Sequence, residues 1–178
     1  MPIITYNGVD YPLPPDDGTG SKVPSYNETI QAILAALFGG TSATWVSWAP
    51  TLTNITIGNG TVTAKYARVG KIIFCRLNIV FGSTTSLSGD VIFTLPVTRA
   101  TYAGTAGVTP LGVAAARDNS GDLVYQATTW TYSTTTQAFV RFILASGTYG
   151  TSVAASATVP FTWATADEIN TQFFYEAA

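Results

Sequence analysis

The sequence predicts a mainly β protein, an antiparallel β-sandwich of jelly-roll-like form preceded by an extended N-terminal arm and one short amphipathic helix. Three observations carry that prediction. From Trp45 onward the apolar pattern has period two, only residues 25–39 show a helical period, and Thr, Ser, Gly and Ala fill places that charged residues usually take. The chain divides accordingly into an arm (residues 1–24), a capped helix (25–40) and a β-sandwich knob (45–178).

The arm is rich in Pro, Gly, Asp and Tyr. Asn7-Gly8 has the chemistry of a tight turn between two short extended pieces, and Pro12, Pro14 and Pro15 keep the neighbouring residues from turning helical. An arm this short has no core of its own, yet it carries Ile3, Ile4, Tyr6, Val9, Tyr11 and Leu13. A solvated tail has no need of such residues. They are expected to dock on a larger body.

In the helix, Ser25 and Glu28 form a capping box and Gly39-Gly40 supplies the stop. Ile30, Ile33, Leu34, Leu37 and Phe38 recur at i, i+3, i+4, i+7 and i+8, so one stripe must be buried. It either packs on the chain's own sheet or forms a parallel three-helix seam in a homotrimer.

Strands are expected at 51–57, 61–69, 71–81, 90–95, 111–117, 123–133, 137–144 and 169–175, each rich in Val, Ile, Thr, Phe or Tyr. Asn59-Gly60 and Asn119-Ser120-Gly121-Asp122 are hairpin turns by chemistry. Strands with no second helix between them close into a sandwich rather than an α/β fold.

Composition bounds the function. The 178 residues are 47% hydrophobic and 10% charged, with a net charge of -2. An ordinary soluble domain is about a quarter charged, so this composition suits a subunit packed into an assembly. Eight scattered Lys and Arg residues, with Lys65, Arg68, Lys71 and Arg76 the only local concentration, argue against nucleic acid as a partner. The longest apolar run, Ala32 to Phe38, is too short to cross a bilayer, and the first residues lack a secretory leader's pattern. Synthesis in a cytoplasm, without membrane insertion, is the expectation.

Chemistry is sparse. The chain has no histidine and a single cysteine, which removes Ser-His and Cys-His nucleophiles and histidine- or thiolate-based metal sites. Cys75 lies in an apolar strand and reads as a small buried hydrophobe. Asp118 and Asp122 flank a hairpin loop whose oxygens suit Ca²⁺, although turn formation alone accounts for them. Asp167-Glu168 resembles half of a glycosidase pair. Adjacent strand residues point to opposite faces, and a solvated loop before Ile169 is the simpler expectation. No enzyme activity and no cofactor are expected. Aromatic rings stack on sugars, and Tyr102, Trp130 and Tyr149, set in Gly-rich loops or a Thr-rich strand, are the candidates for glycan contact.

Three stretches resemble a known family: Trp48-Ala49-Pro50-Thr51-Leu52-Thr53-Asn54-Ile55-Thr56-Ile57-Gly58-Asn59-Gly60-Thr61 followed by Ala64-Lys65-Tyr66-Ala67-Arg68-Val69-Gly70-Lys71; Gly89-Asp90-Val91-Ile92-Phe93-Thr94-Leu95-Pro96; and the ending from Pro160-Phe161-Thr162-Trp163 to Tyr175-Glu176-Ala177-Ala178. They look like the C-terminal β-domains of tail-fibre, minor tail and head-fibre proteins of tailed bacteriophages. The resemblance covers residues 45–178 and implies a trimeric knob at the virion surface. It carries no catalytic or binding residue across. Fibres of that kind have long shafts, which this sequence lacks, so attachment to other virion proteins falls to the first 40 residues. The resemblance leaves two roles open: a host-attachment knob that binds surface polysaccharide, or a capsid decoration or head-fibre subunit with a purely structural task.

Overall fold

The computed structural model describes residues 3–6, 9–12, 44–101, 108–132, 135–145 and 148–178. The chain separates into two units, Met1–Ser42 and Ala43–Ala178. In the first, β1 (Ile3–Tyr6) pairs antiparallel with β2 (Val9–Pro12), with Tyr6 opposite Val9. Only two residues, Asn7 and Gly8, separate the strands, which is the hairpin that Asn-Gly predicts. Leu13 and the whole predicted helix, with Ile30, Ile33, Leu34, Leu37 and Phe38, lie outside the described residues.

The second unit is one antiparallel sheet of ten strands: β3 (Val46–Ser47), β4 (Leu52–Thr56), β5 (Thr61–Val69), β6 (Ile72–Val80), β7 (Ser86–Thr94), β8 (Thr109–Asp118), β9 (Leu123–Thr131), β10 (Gln137–Leu144), β11 (Thr151–Val153) and β12 (Glu168–Glu176). No helix occurs among the described residues of this unit. Its hydrogen-bonded order is β3-β5-β6-β12-β8-β9-β10-β7-β4, and β11 adds to β10. Every predicted strand is present, within a few residues of its expected ends. β3 and β11 are additions, too short at two and three residues to leave a period in the sequence.

The sheet is strongly curled. Between β12 and β7 lie three strands, a path of about 19 Å at the usual interstrand spacing. Yet Phe173 on β12 and Phe93 on β7 have ring centroids 5.6 Å apart. The sheet therefore folds over its own concave side and buries that side as the core. Ile73, Cys75, Leu77 and Ile79 of β6 alternate inward, and so do Ile169, Thr171, Phe173 and Tyr175 of β12. This is the period-two signal read in three dimensions.

Trp48 draws the two edges together. Its backbone N–H donates to Ala64 O on β5 (3.1 Å) and its indole N–H to Thr94 O on β7 (3.2 Å). The aromatic rings of Phe81, Phe161 and Trp163 fill one end of the curl, Trp163 stacking on Phe81 at 4.5 Å. At the other end the Tyr175 hydroxyl donates to Val97 O (2.8 Å), and Arg99 bridges to Ala177.

β8 and β12 approach closely at Gly112, where the β8–β9 register slips between Pro110 and Gly112. A Cβ placed on Gly112 meets the carbonyl oxygen of Gln172, and it falls 2.6 Å from Phe173 Cα. These are backbone atoms of a central strand and have no room to yield. Gly112→Ala is expected to cost about 1–3 kcal/mol of stability by overpacking, read as a lower denaturation midpoint at unchanged slope.

Candidate interaction surfaces

The carboxylates singled out in the sequence hold turns. Asp118 Oδ1 accepts from the Ser120 hydroxyl (2.7 Å), Ser120 N (2.9 Å) and Gly121 N (3.3 Å). The hydrogen bond from the Ser120 side chain, aided by those from the backbone, holds its pKa below the ordinary carboxylate range. Asp122 turns away to Arg117 (3.0 Å), so the two acids address different partners. No cluster of three metal-ligating side chains occurs among the described residues.

Asp167 corrects the expectation of a solvated loop. It is 1% exposed; Oδ1 accepts from Asn119 N (2.9 Å) and Oδ2 from Ala164 N (2.6 Å). One buried carboxylate thus ties the β8–β9 turn to the segment ahead of β12. Glu168 is the first residue of β12 and lies on the opposite face, beside Asn78 and Asn170. Asp90, which the sequence pattern does not mark, is also buried; it pairs with Arg141 (2.9 Å) and accepts from Ala155 N (3.1 Å). Nothing in its local pattern separates it from a turn acid.

Cys75 is 3% exposed in the core, as its strand pattern predicts. Burial pushes its thiol up from 9.0 to about 12, against the opposing pull of a hydrogen bond with Tyr175. Burial likewise raises the Tyr175 phenol.

Of the candidate glycan contacts, Tyr102 lies outside the described residues. Trp130 is half-buried on β9, opposite Phe139 of β10, and its buried indole N–H has no hydrogen-bond partner among the described residues. Tyr149 is 82% exposed in the connection between β10 and β11. The two are not neighbours. Trp130 sits level with Phe139, whereas β11 begins level with Leu144, roughly 17 Å further along β10 at about 3.4 Å per residue. Tyr132 stacks at 4.1 Å on Phe139, the register partner of Trp130.

The most distinctive surface is one the sequence pattern did not predict. It is the outer, convex face of β5, β6, β12 and β8. Val69 (38%), Ile72 (36%), Phe74 (43%), Phe174 (59%) and Val113 (71%) stand exposed there, with Phe74 and Phe174 in ring contact at 6.2 Å. The cross-strand register sets these residues in levels. One level holds Ala67, Phe74 and Phe174; the next Lys65, Arg76, Gln172 and Val113; then Asn78, Asn170 and Ala115; then Glu168 and Arg117. The Arg76 guanidinium lies over the Trp45 ring at 4.6 Å. Beside Phe174 a groove of about 280 Å³ opens between Ile72, Thr109, Pro110, Leu111 and Glu176. That is just below the range of small-molecule sites and of a size for a few side chains. The sequence did contain the signal: in Ile72-Ile73-Phe74-Cys75 and Phe173-Phe174-Tyr175 consecutive apolar residues leave neither face of the strand polar.

No family model, curated protein or solved structure matches the chain. No helix of the described residues is long and apolar enough to cross a membrane.

Asp167→Ala strands two backbone N–H groups and is expected to lower unfolding free energy by roughly 2–4 kcal/mol, measurable by urea titration. Cys75 is expected to resist alkylation in the folded protein and to react at once in denaturant. As pH rises past 9.0 toward about 12 the unfolded thiol ionises before the folded one. The contribution of this group to stability is therefore complete below pH 9.0 and falls above it. Cys75→Ala should flatten part of that alkaline decline.

Proposed function

We propose that the chain is a non-enzymatic structural protein of a tailed-phage virion, a homotrimeric surface appendage. In this reading residues 1–24 dock on other virion proteins through Ile3, Ile4, Tyr6, Val9, Tyr11 and Leu13, and residues 25–40 form a helical seam. Residues 45–178 form the outward knob, the curled sheet being a jelly-roll-like sandwich in which β5-β6-β12-β8 face β9-β10-β7-β4. The knob binds host-surface polysaccharide. Support comes from the resemblance of residues 48–71, 89–96 and 160–178 to such appendage domains. The observation that carries the reading is the outer face around Phe174: 59% exposure of a phenylalanine, beside Val113 at 71%, suits a subunit that is never alone.

A purely structural role, as a capsid decoration or head-fibre subunit, is the second reading. The wide separation of Trp130 and Tyr149 favours it, because two rings so far apart do not form one sugar platform. Tyr149 is then the residue that divides the roles. In the attachment reading the purified full chain binds a subset of bacterial polysaccharides on an array, and Tyr149→Ala weakens that binding roughly tenfold, the loss that about 1.4 kcal/mol of stacking represents. Antibody labelling confined to the capsid, with no polysaccharide bound, selects the structural role. Labelling on neither capsid nor tail of a purified particle overturns both.

A further inference from the structure

We infer that the outer face of β6, β12 and β8 is the surface on which copies of this chain meet, packed in parallel about an axis that runs along β12. The inference rests on the homotrimer reading above and names the face that reading requires.

A face of this composition is a poor end state for a monomer. β12 is the centre of its half of the sheet, flanked over nine residues by β6 and over six by β8. Its inward side chains are buried, so Glu168, Asn170, Gln172, Phe174 and Glu176 form an outward row. Phe174 and Phe74 are the large side chains of that face, and Val113 extends them onto β8. Aromatics in contact with each other on one side and with water on the other mark an interaction surface.

Charge then selects the occupant. A parallel arrangement about an axis brings each level of the face against the same level of its neighbours. The Phe174 level is wholly apolar, and the Asn170 level is uncharged, Asn78 and Asn170 each both donor and acceptor beside Ala115 and Thr63. At the Glu168 level each copy carries a cation and an anion, Arg117 lying 3.7 Å from Glu168. At the Glu176 level Lys71 lies 3.7 Å from Glu176. Either pair can exchange partners with its symmetry mate without like charges meeting. Only the Gln172 level carries like charges, Arg76 directly beside Gln172 and Lys65 one strand further out on β5, and there the Trp45 ring lies under the Arg76 guanidinium. With every other level apolar, neutral or doubly signed, and the one cationic level engaged by an aromatic ring, the face is complementary to itself. The groove beside Phe174 continues the same surface and has room for a neighbour's side chain.

The test uses the full chain. Asn170→Cys places a thiol on the proposed axis, whereas Thr56→Cys places one on exposed β4, away from it. Mild oxidation should link Asn170→Cys chains to one another, at a yield at least tenfold above that of Thr56→Cys. Adding Phe174→Asp should cut that yield at least tenfold, while Phe174→Leu should preserve it. Both substitutions fall on a mostly exposed side chain, and circular dichroism checks that the fold is kept. Sedimentation velocity on the unsubstituted chain separates the two ways of failing. Trimers without the Asn170→Cys link overturn this assignment alone, and leave the face to another virion protein or a glycan. A monomer overturns the homotrimer reading and this inference with it.

Discussion

The pairing of β12 with both β6 and β8 is the interaction on which the rest of the structure depends. The most C-terminal strand of the sequence sits in the middle of the sheet and joins β5–β6 to β8–β9–β10–β7. Remove it and two hairpin systems remain, neither with a closed core. Its side chains serve two surfaces at once. Ile169, Phe173 and Tyr175 reach β7 and the ends of the curl, while Phe174 and its neighbours reach outward. The same strand thus supplies the core and the candidate interface. Such a fold is dominated by non-local contacts, and loop closure must precede most of its reward.

Closing a curled sheet creates buried polar groups, and the molecule satisfies them with few side chains. Asp167 caps two backbone N–H groups from different segments; Asp90 serves Ala155 and Arg141 together. Buried acids so engaged hold the connections in place, in a chain with only ten acidic residues altogether. Hydroxyls serve the same end inside the sheet. Thr129 and Thr171 hydrogen-bond to each other in the core, and Thr171 also donates to Val113 O. The abundance of Thr therefore has an internal role as well as a surface one.

Much of this was legible in the sequence. Period-two alternation located every strand longer than three residues from Trp45 onward, and turn chemistry placed the hairpins between β1 and β2 and between β8 and β9. The expected hairpin at Asn59-Gly60 is instead a turn between strands not paired with each other, because β4 pairs with β7 and β5 with β6. Cys75 fell inside because its neighbours alternate. The strand order was not legible, because alternation says which side a residue faces and nothing about which strand lies beside it. For the same reason β12 gave no sign of being central. The burial of Asp167 was hidden because an acid that caps distant backbone looks, locally, like any loop acid. The outer apolar face was hidden for a different reason. Consecutive apolar residues show that neither face of β6 or β12 is polar, but Phe74 and Phe174 lie 100 residues apart and become neighbours only through the β6–β12 register.

If β12 is the keystone of the sheet, amide hydrogen exchange on the full chain tests that most directly. The amides of Ile169–Tyr175 are predicted to be among the slowest in the protein, exchanging together with those of β6, while β3, β4 and β11 at the margins exchange far faster. Exchange in Ile169–Tyr175 as rapid as in the edge strands would contradict it.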